Sequence, residues 1–104
     1  MRILMKVSMP IDKGNELARA GKLGSTIQEI IEEQQPEAVY FSTAQNGWRN
    51  AFVIVDLEDA SRIPALAEPW FLACDAEVHM WPVFTPDEMP EAVPHIDAAV
   101  EKYG

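Results

Sequence analysis

Residues 2–9 (Arg-Ile-Leu-Met-Lys-Val-Ser-Met) alternate: Ile3, Met5, Val7 and Met9 fall on one side, and Arg2, Leu4, Lys6 and Ser8 on the other. That period of two predicts a strand, which Pro10 ends. Asp12 reads as a helix N-cap, and apolar positions then recur at helical spacing at Ala20, Leu23, Ile27, Ile30 and Ile31. Gly21 and Gly24 weaken the middle of this helix by up to about 1 kcal/mol each. Ser25-Thr26-Ile27-Gln28-Glu29 also reads as a fresh start with its own capping box. The pattern predicts a bend or break near Gly21–Gly24 and a stop at Pro36.

Residues 37–44 and 49–57 read as strands because they are rich in β-branched and aromatic side chains. Asn46-Gly47 between them is a hairpin signal. A two-residue type I′ turn there sets Gln45 opposite Trp48, Ser42 opposite Ala51 and Tyr40 opposite Val53. A three-residue loop with a bulge instead reverses the faces of one strand. Asp59-Ala60-Ser61 opens a second helix through residue 73; Pro64 suits its first turn, whereas Pro69 removes a donor and predicts a kink before Trp70. Residues 76–84 form a fourth strand, and Pro82 confines it to a sheet edge or ends its pairing. Thr85-Pro86-Asp87-Glu88 starts a last helix with the apolar stripe Met89, Val93, Ile96, Val100 and Tyr103, interrupted by Pro90 and Pro94.

The order β-α-β-β-α-β plus a C-terminal helix predicts one ferredoxin-like α+β domain over residues 1–104: a four-stranded antiparallel sheet with helices on one face. Ile3, Met5, Val7, Val39, Phe41, Phe52, Ile54, Val78 and Met80 suit the helix side. The other parity carries Leu4, Lys6, Ser8, Tyr40, Ser42, Ala51, Val53, Val55, Glu77, His79 and Trp81. That set is too apolar for a solvated face and too polar for an ordinary core, the composition of an interface or a pocket. Two such sheets facing each other across a two-fold axis, around a cavity, satisfy it most simply.

Ala38-Val39-Tyr40-Phe41, the run Asp59 to Pro69, and His79-Met80-Trp81-Pro82-Val83-Phe84-Thr85-Pro86, taken with the element order, resemble the dimeric α+β barrel superfamily. Within it the whole chain is most similar to short bacterial proteins of unassigned function. The resemblance implies a homodimeric barrel. It leaves activity open, because the superfamily spans isomerases, cofactor-free monooxygenases, haem-degrading enzymes, stress proteins and ligand-binding modules.

Glu77, His79 and Trp81 share one face of the fourth strand, and pairing with the first strand brings Lys6 and Ser8 beside them. A histidine next to a carboxylate suits acid–base work near neutral pH. Glu77, Lys6 and Tyr40 are the expected orienting groups; Ser42, Ser8 and Trp81 line the cavity. Trp48-Arg49 reads either as a lid or anion clamp at the cavity mouth or as a cross-strand aromatic and a surface charge. The opposing reading of the whole face is a Lys6–Glu77 pair and a hydrogen-bonded His79 in a plain dimer interface, in a non-catalytic stress-type or ligand-binding module. Haem-degrading members combine a His ligand, a helix Trp and an Asn on the first strand. Trp70 fits, but Ser8 replaces Asn and His79 is mid-strand, so no cofactor is expected.

The chain's 17 Asp and Glu against 8 Lys and Arg, a formal charge of −9, argue against nucleic acid or anionic membrane as partners. No run approaches the roughly 18–20 apolar residues of a spanning helix. Lys6 interrupts the N-terminal run where a signal peptide is apolar, so a cytoplasmic location is expected. The single cysteine, Cys74, forms no internal disulfide, and Glu77-Val78-His79 supplies too few ligands for a metal.

Overall fold

In a computed structural model, residues 1–43 and 47–104 are described. Strand β1 (Arg2–Met9) is followed by helices α1 (Ile11–Arg19) and α2 (Leu23–Gln34) and strands β2 (Ala38–Ser42) and β3 (Arg49–Asp56). A 3-10 turn (Ala60–Arg62) leads into α3 (Ile63–Cys74), then β4 (Glu77–Pro82), a second 3-10 turn (Pro86–Glu88) and α4 (Met89–Tyr103). The four strands form one antiparallel sheet in the order β2-β3-β1-β4.

The first helical segment is broken as its glycines predict, with Gly21 at φ +71° between α1 and α2, a conformation that costs glycine little. Its start differs from expectation. Pro10 occupies the N-cap position, and Asp12 is the second helical residue, accepting from the Lys13 N–H at 2.9 Å. Pro10 wins because its fixed φ of −57° already leads the chain out of β1. The second helical segment opens at Asp59-Ala60-Ser61 as expected, with Asp59 accepting from the Ser61 N–H at 2.9 Å, but its first turn is 3-10. The chain then continues as α3 across Pro69. β4 is an edge strand and ends at Pro82.

One expectation is overturned. Ser42 pairs with Asn50, Phe41 with Ala51 and Tyr40 with Phe52, one residue out of the type I′ register. The faces of β3 are therefore reversed: Ala51, Val53 and Val55 are buried toward the helices, whereas Phe52 and Ile54 lie half-buried on the open side. The apolar pattern was blind to this choice, because both parities of Ala51-Phe52-Val53-Ile54-Val55 are hydrophobic. Gly47, at φ +73°, lies in the connection two residues before β3; Gln45 and Asn46 of the expected turn lie outside the described residues.

The core lies between the sheet and α1–α3, and Trp70 is its largest fully buried side chain. Pro69 has no N–H for the Ala65 carbonyl. The Gln34 side chain serves instead, its Nε2 donating to the Leu66 and Ala65 carbonyls at 2.8 and 3.4 Å while its Oε1 accepts from Trp70 Nε1 at 3.2 Å. One amide thus ties the end of α2 to α3. Burial pushes the Cys74 thiol up, and neighbouring Asp75 adds to the shift. Cys74 is a small core residue.

Arg2 holds the far end of the sheet together. Its guanidinium grips Glu37 through two bonds of 2.7 and 3.0 Å and reaches Glu88 at 3.2 Å. The hydrogen bond and charge of Arg2 hold the Glu37 carboxyl below its ordinary value. A depressed carboxylate contributes stability above its unfolded value and loses it as pH falls through its folded one. Glu37→Gln is therefore expected to lower Tm slightly at neutral pH and to match the parent in acid, where Glu37 is protonated. Thermal melts across that range check it, and an equal deficit at both ends would mean the pair carries no linkage.

Candidate functional site

Among the described residues the face of the sheet away from the helices is uncovered except at Ser8 and Asn50. Its side chains fall into three transverse rows, read directly from the strand register. Ala38, Ile54, Leu4 and Trp81 form an apolar row. Tyr40, Phe52, Lys6 and His79 form the middle row, and Ser42, Asn50, Ser8 and Glu77 a polar one. Polarity therefore rises across the face, from the Trp81 end to the Glu77 end.

Within this face the structure unites most of the residues singled out above. Lys6 is opposite His79 and Ser8 opposite Glu77, because β1 pairs with β4. His79 stacks on Trp81 with ring centroids 6.2 Å apart and planes inclined by 21°. Stacking on the indole uses neither ring nitrogen, and among the described residues neither makes a hydrogen bond, so both can meet a ligand. Tyr40, 66% exposed, is in the same row as His79 but three strand spacings away, about 14 Å between backbones. A single small molecule reaches both only if it lies along the row or if a second sheet closes over it.

Ser8 and Asn50 are each only 3% exposed, although they face the open side. The Ser8 hydroxyl donates to Asn50 Oδ1 at 2.7 Å, and Asn50 Nδ2 donates to the Trp48 carbonyl at 3.1 Å. Ser8 is thus engaged with Asn50. The sequence signal for Asn50 is an amide immediately before the apolar run Ala51–Val55.

Trp48 and Arg49 stand apart from this face. Arg49 shares the helix-side parity of Ala51 and passes beneath α1, where its Nη2 donates to Asn15 Oδ1 at 3.1 Å. The missing side chain of Gly14 makes the room: a Cβ there would lie 2.5 Å from Arg49 Nη1. Trp48 is half-buried beside a surface pocket shared with Pro10, Ile11 and Arg19.

A second concavity opens on the helix side, about 200 Å³ in volume, walled by Val7, Leu23, Ile27, Phe41, Ala51 and Trp70, with Arg49 and Asn50 among its polar lining. Among the described residues no group of three or more His, Cys, Asp or Glu side chains is placed to hold a metal ion. No helix among them is long and apolar enough to cross a membrane.

No family model, curated protein or solved structure matches the chain. The chemistry of the open face is therefore read from its own geometry.

Proposed function

We propose that this protein is a homodimer of the dimeric α+β barrel type, built on a ferredoxin-like unit, whose two open sheet faces meet around a cavity for a small, partly apolar molecule. The observation that carries this reading is the uncovered middle row, Tyr40-Phe52-Lys6-His79, flanked by an apolar row and a polar one. Such a graded face binds a molecule with one apolar and one polar end, the apolar end against Trp81, Leu4 and Ile54. His79 then serves as the acid–base group, removing an acidic proton from the ligand as in cofactor-independent monooxygenases or isomerases. Lys6 stabilises negative charge developing on the ligand, Glu77 holds the protonated imidazole, and Tyr40 orients a polar group from across the cavity. Ser42 lines the polar end, and the buried Ser8 braces it through Asn50.

The helix-side pocket favours a second reading, in which the sheet face is only the interface of a non-catalytic binding module and the ligand sits against Ile27 and Trp70. Titration with small aromatic fragments, followed by amide chemical shifts, separates the two. Shifts around His79 and Trp81 support the first reading, and shifts around Val7, Leu23 and Ile27 the second. Under the first, His79→Ala weakens fragment binding by about tenfold or more, as expected for a lost hydrogen bond to a charged group, while the dimer constant stays put. If His79→Ala leaves binding unchanged, the acid–base assignment is wrong.

A further inference from the structure

Helix α4 is the one long element that buries nothing. None of its residues is buried, and it packs chiefly on the 3-10 turn that precedes it. The molecule consequently extends 59 Å along its long axis, with a radius of gyration of 17.2 Å. A compact chain of this length has a radius of about 13 Å. Along α4, Met89, Val93, Ile96, Val100 and Tyr103 are between 42% and 80% exposed. Their spacing of four, three, four and three residues draws one narrow apolar seam, and small Ala92 and Ala99 beside it allow close approach.

Such a helix does not support itself in water. At 15 residues it is near the lower limit of about 12–15 for isolated helices. Pro94 withholds the N–H that would bond the Pro90 carbonyl. The chain's own body does not cover it. The Val83 N–H donates to the Arg2 carbonyl at 3.1 Å and Arg2 holds Glu88, which anchors the root of α4 at the β4 edge while the helix runs outward.

The same molecule carries a second unpartnered apolar surface, the open sheet face. A two-fold axis lets each copy present both surfaces to the other in one closed interface. The sizes agree. The sheet face spans about 20 Å by 19 Å from strand rise and spacing. The helix adds about 22 Å by 10 Å. Together these give about 600 Å² per partner, the lower end of a stable interface of about 1,200–2,000 Å² in total. We propose that α4 is an exchanged arm, its Met89–Tyr103 seam buried on a second copy of this chain. The proposal rests on the homodimer reading above and adds the element that secures it.

The test compares the full-length chain with a Val93→Glu/Ile96→Glu variant by sedimentation equilibrium and far-ultraviolet circular dichroism over a dilution series. Both side chains are exposed in the single chain, so the sheet folds in either protein, and its amide spectrum verifies this. The parent is expected to dimerise and to lose helix signal on dilution as α4 melts. The variant is expected to dimerise about a hundredfold more weakly or worse. If parent and variant share one dimer constant, the exchanged arm is overturned and the sheet-to-sheet dimer stands. A parent that stays monomeric overturns both. A monomeric parent that gains helix signal on phosphatidylcholine vesicles also overturns the arm, with a membrane surface as the cover of α4.

Discussion

Trp70→Ala is expected to lower the unfolding free energy by about 3–5 kcal/mol, the range for removing a large aromatic from a packed core. Trp70 is 1% exposed at the centre of the cluster formed by α2, α3 and the sheet. Its loss opens a cavity that the flanking Leu66 and Ile30 fill only in part. It also strips Gln34 Oε1 of its donor, and Gln34 is the side chain that answers the carbonyl left open by Pro69. At roughly 4–8 °C per kcal/mol for a domain near this size, Tm falls by about 12–40 °C. Trp70→Phe divides the two effects, keeping most of the volume but losing the hydrogen bond, with an expected cost of about 1 kcal/mol for the bond. Chemical denaturation of the three proteins checks this. A Trp70→Ala loss below about 1 kcal/mol would place Trp70 outside the cooperative core.

Ile54→Asp is expected to abolish dimerisation while leaving the monomer folded. Ile54 is half-buried on the open face between Ala38 and Leu4, in the apolar row that ends at Trp81. In a single chain a carboxylate there stays hydrated. In a face-to-face dimer it is buried twice, once from each copy, at a cost of several kcal/mol per unpaired ion. Each 1.4 kcal/mol is tenfold in the dimer constant, so the expected weakening is about a hundredfold or more. Light scattering at micromolar concentration, beside a thermal melt of the monomer, reads both outcomes. An unchanged dimer means that the open face is not the contact surface. The variant is complementary to the α4 substitutions, since one probes the sheet and the other the arm.

Most elements were legible because their periods are clean. The alternation in residues 2–9 and the His79-Met80-Trp81-Pro82 edge strand correctly bring Lys6 and Ser8 beside Glu77 and His79, although Lys6 stands opposite His79 and not opposite Glu77. The Gly21 break and the Pro82 stop follow from backbone restrictions that belong to those residue types alone. The candidate site was legible where a strand mixed polar and apolar positions: Lys6, Ser8, Tyr40, Ser42, Glu77, His79 and Trp81 all lie on the face expected of them. Arg49 was not, because its position follows from the register of β3 and from the gap at Gly14. The Gln34–Pro69–Trp70 arrangement carried no local signal either, since 35 residues of chain separate the amide from the proline it compensates.

By itself the sequence determined which segments are strands and helices, which faces of β1, β2 and β4 are apolar, and where the chain breaks. Those properties depend on neighbours along the chain, and the polar-to-apolar contrast at successive positions encodes them. Only the tertiary structure decided which way β3 faces, that Tyr40, Phe52, Lys6 and His79 share one row, and that the seam of α4 is uncovered. In β3 both parities are apolar, so the packing of Ala51, Val53 and Val55 against the helices made the choice. For α4, the periodicity of Met89 to Tyr103 specifies a face to be buried, and the path of the backbone leaves that face without cover in the single chain.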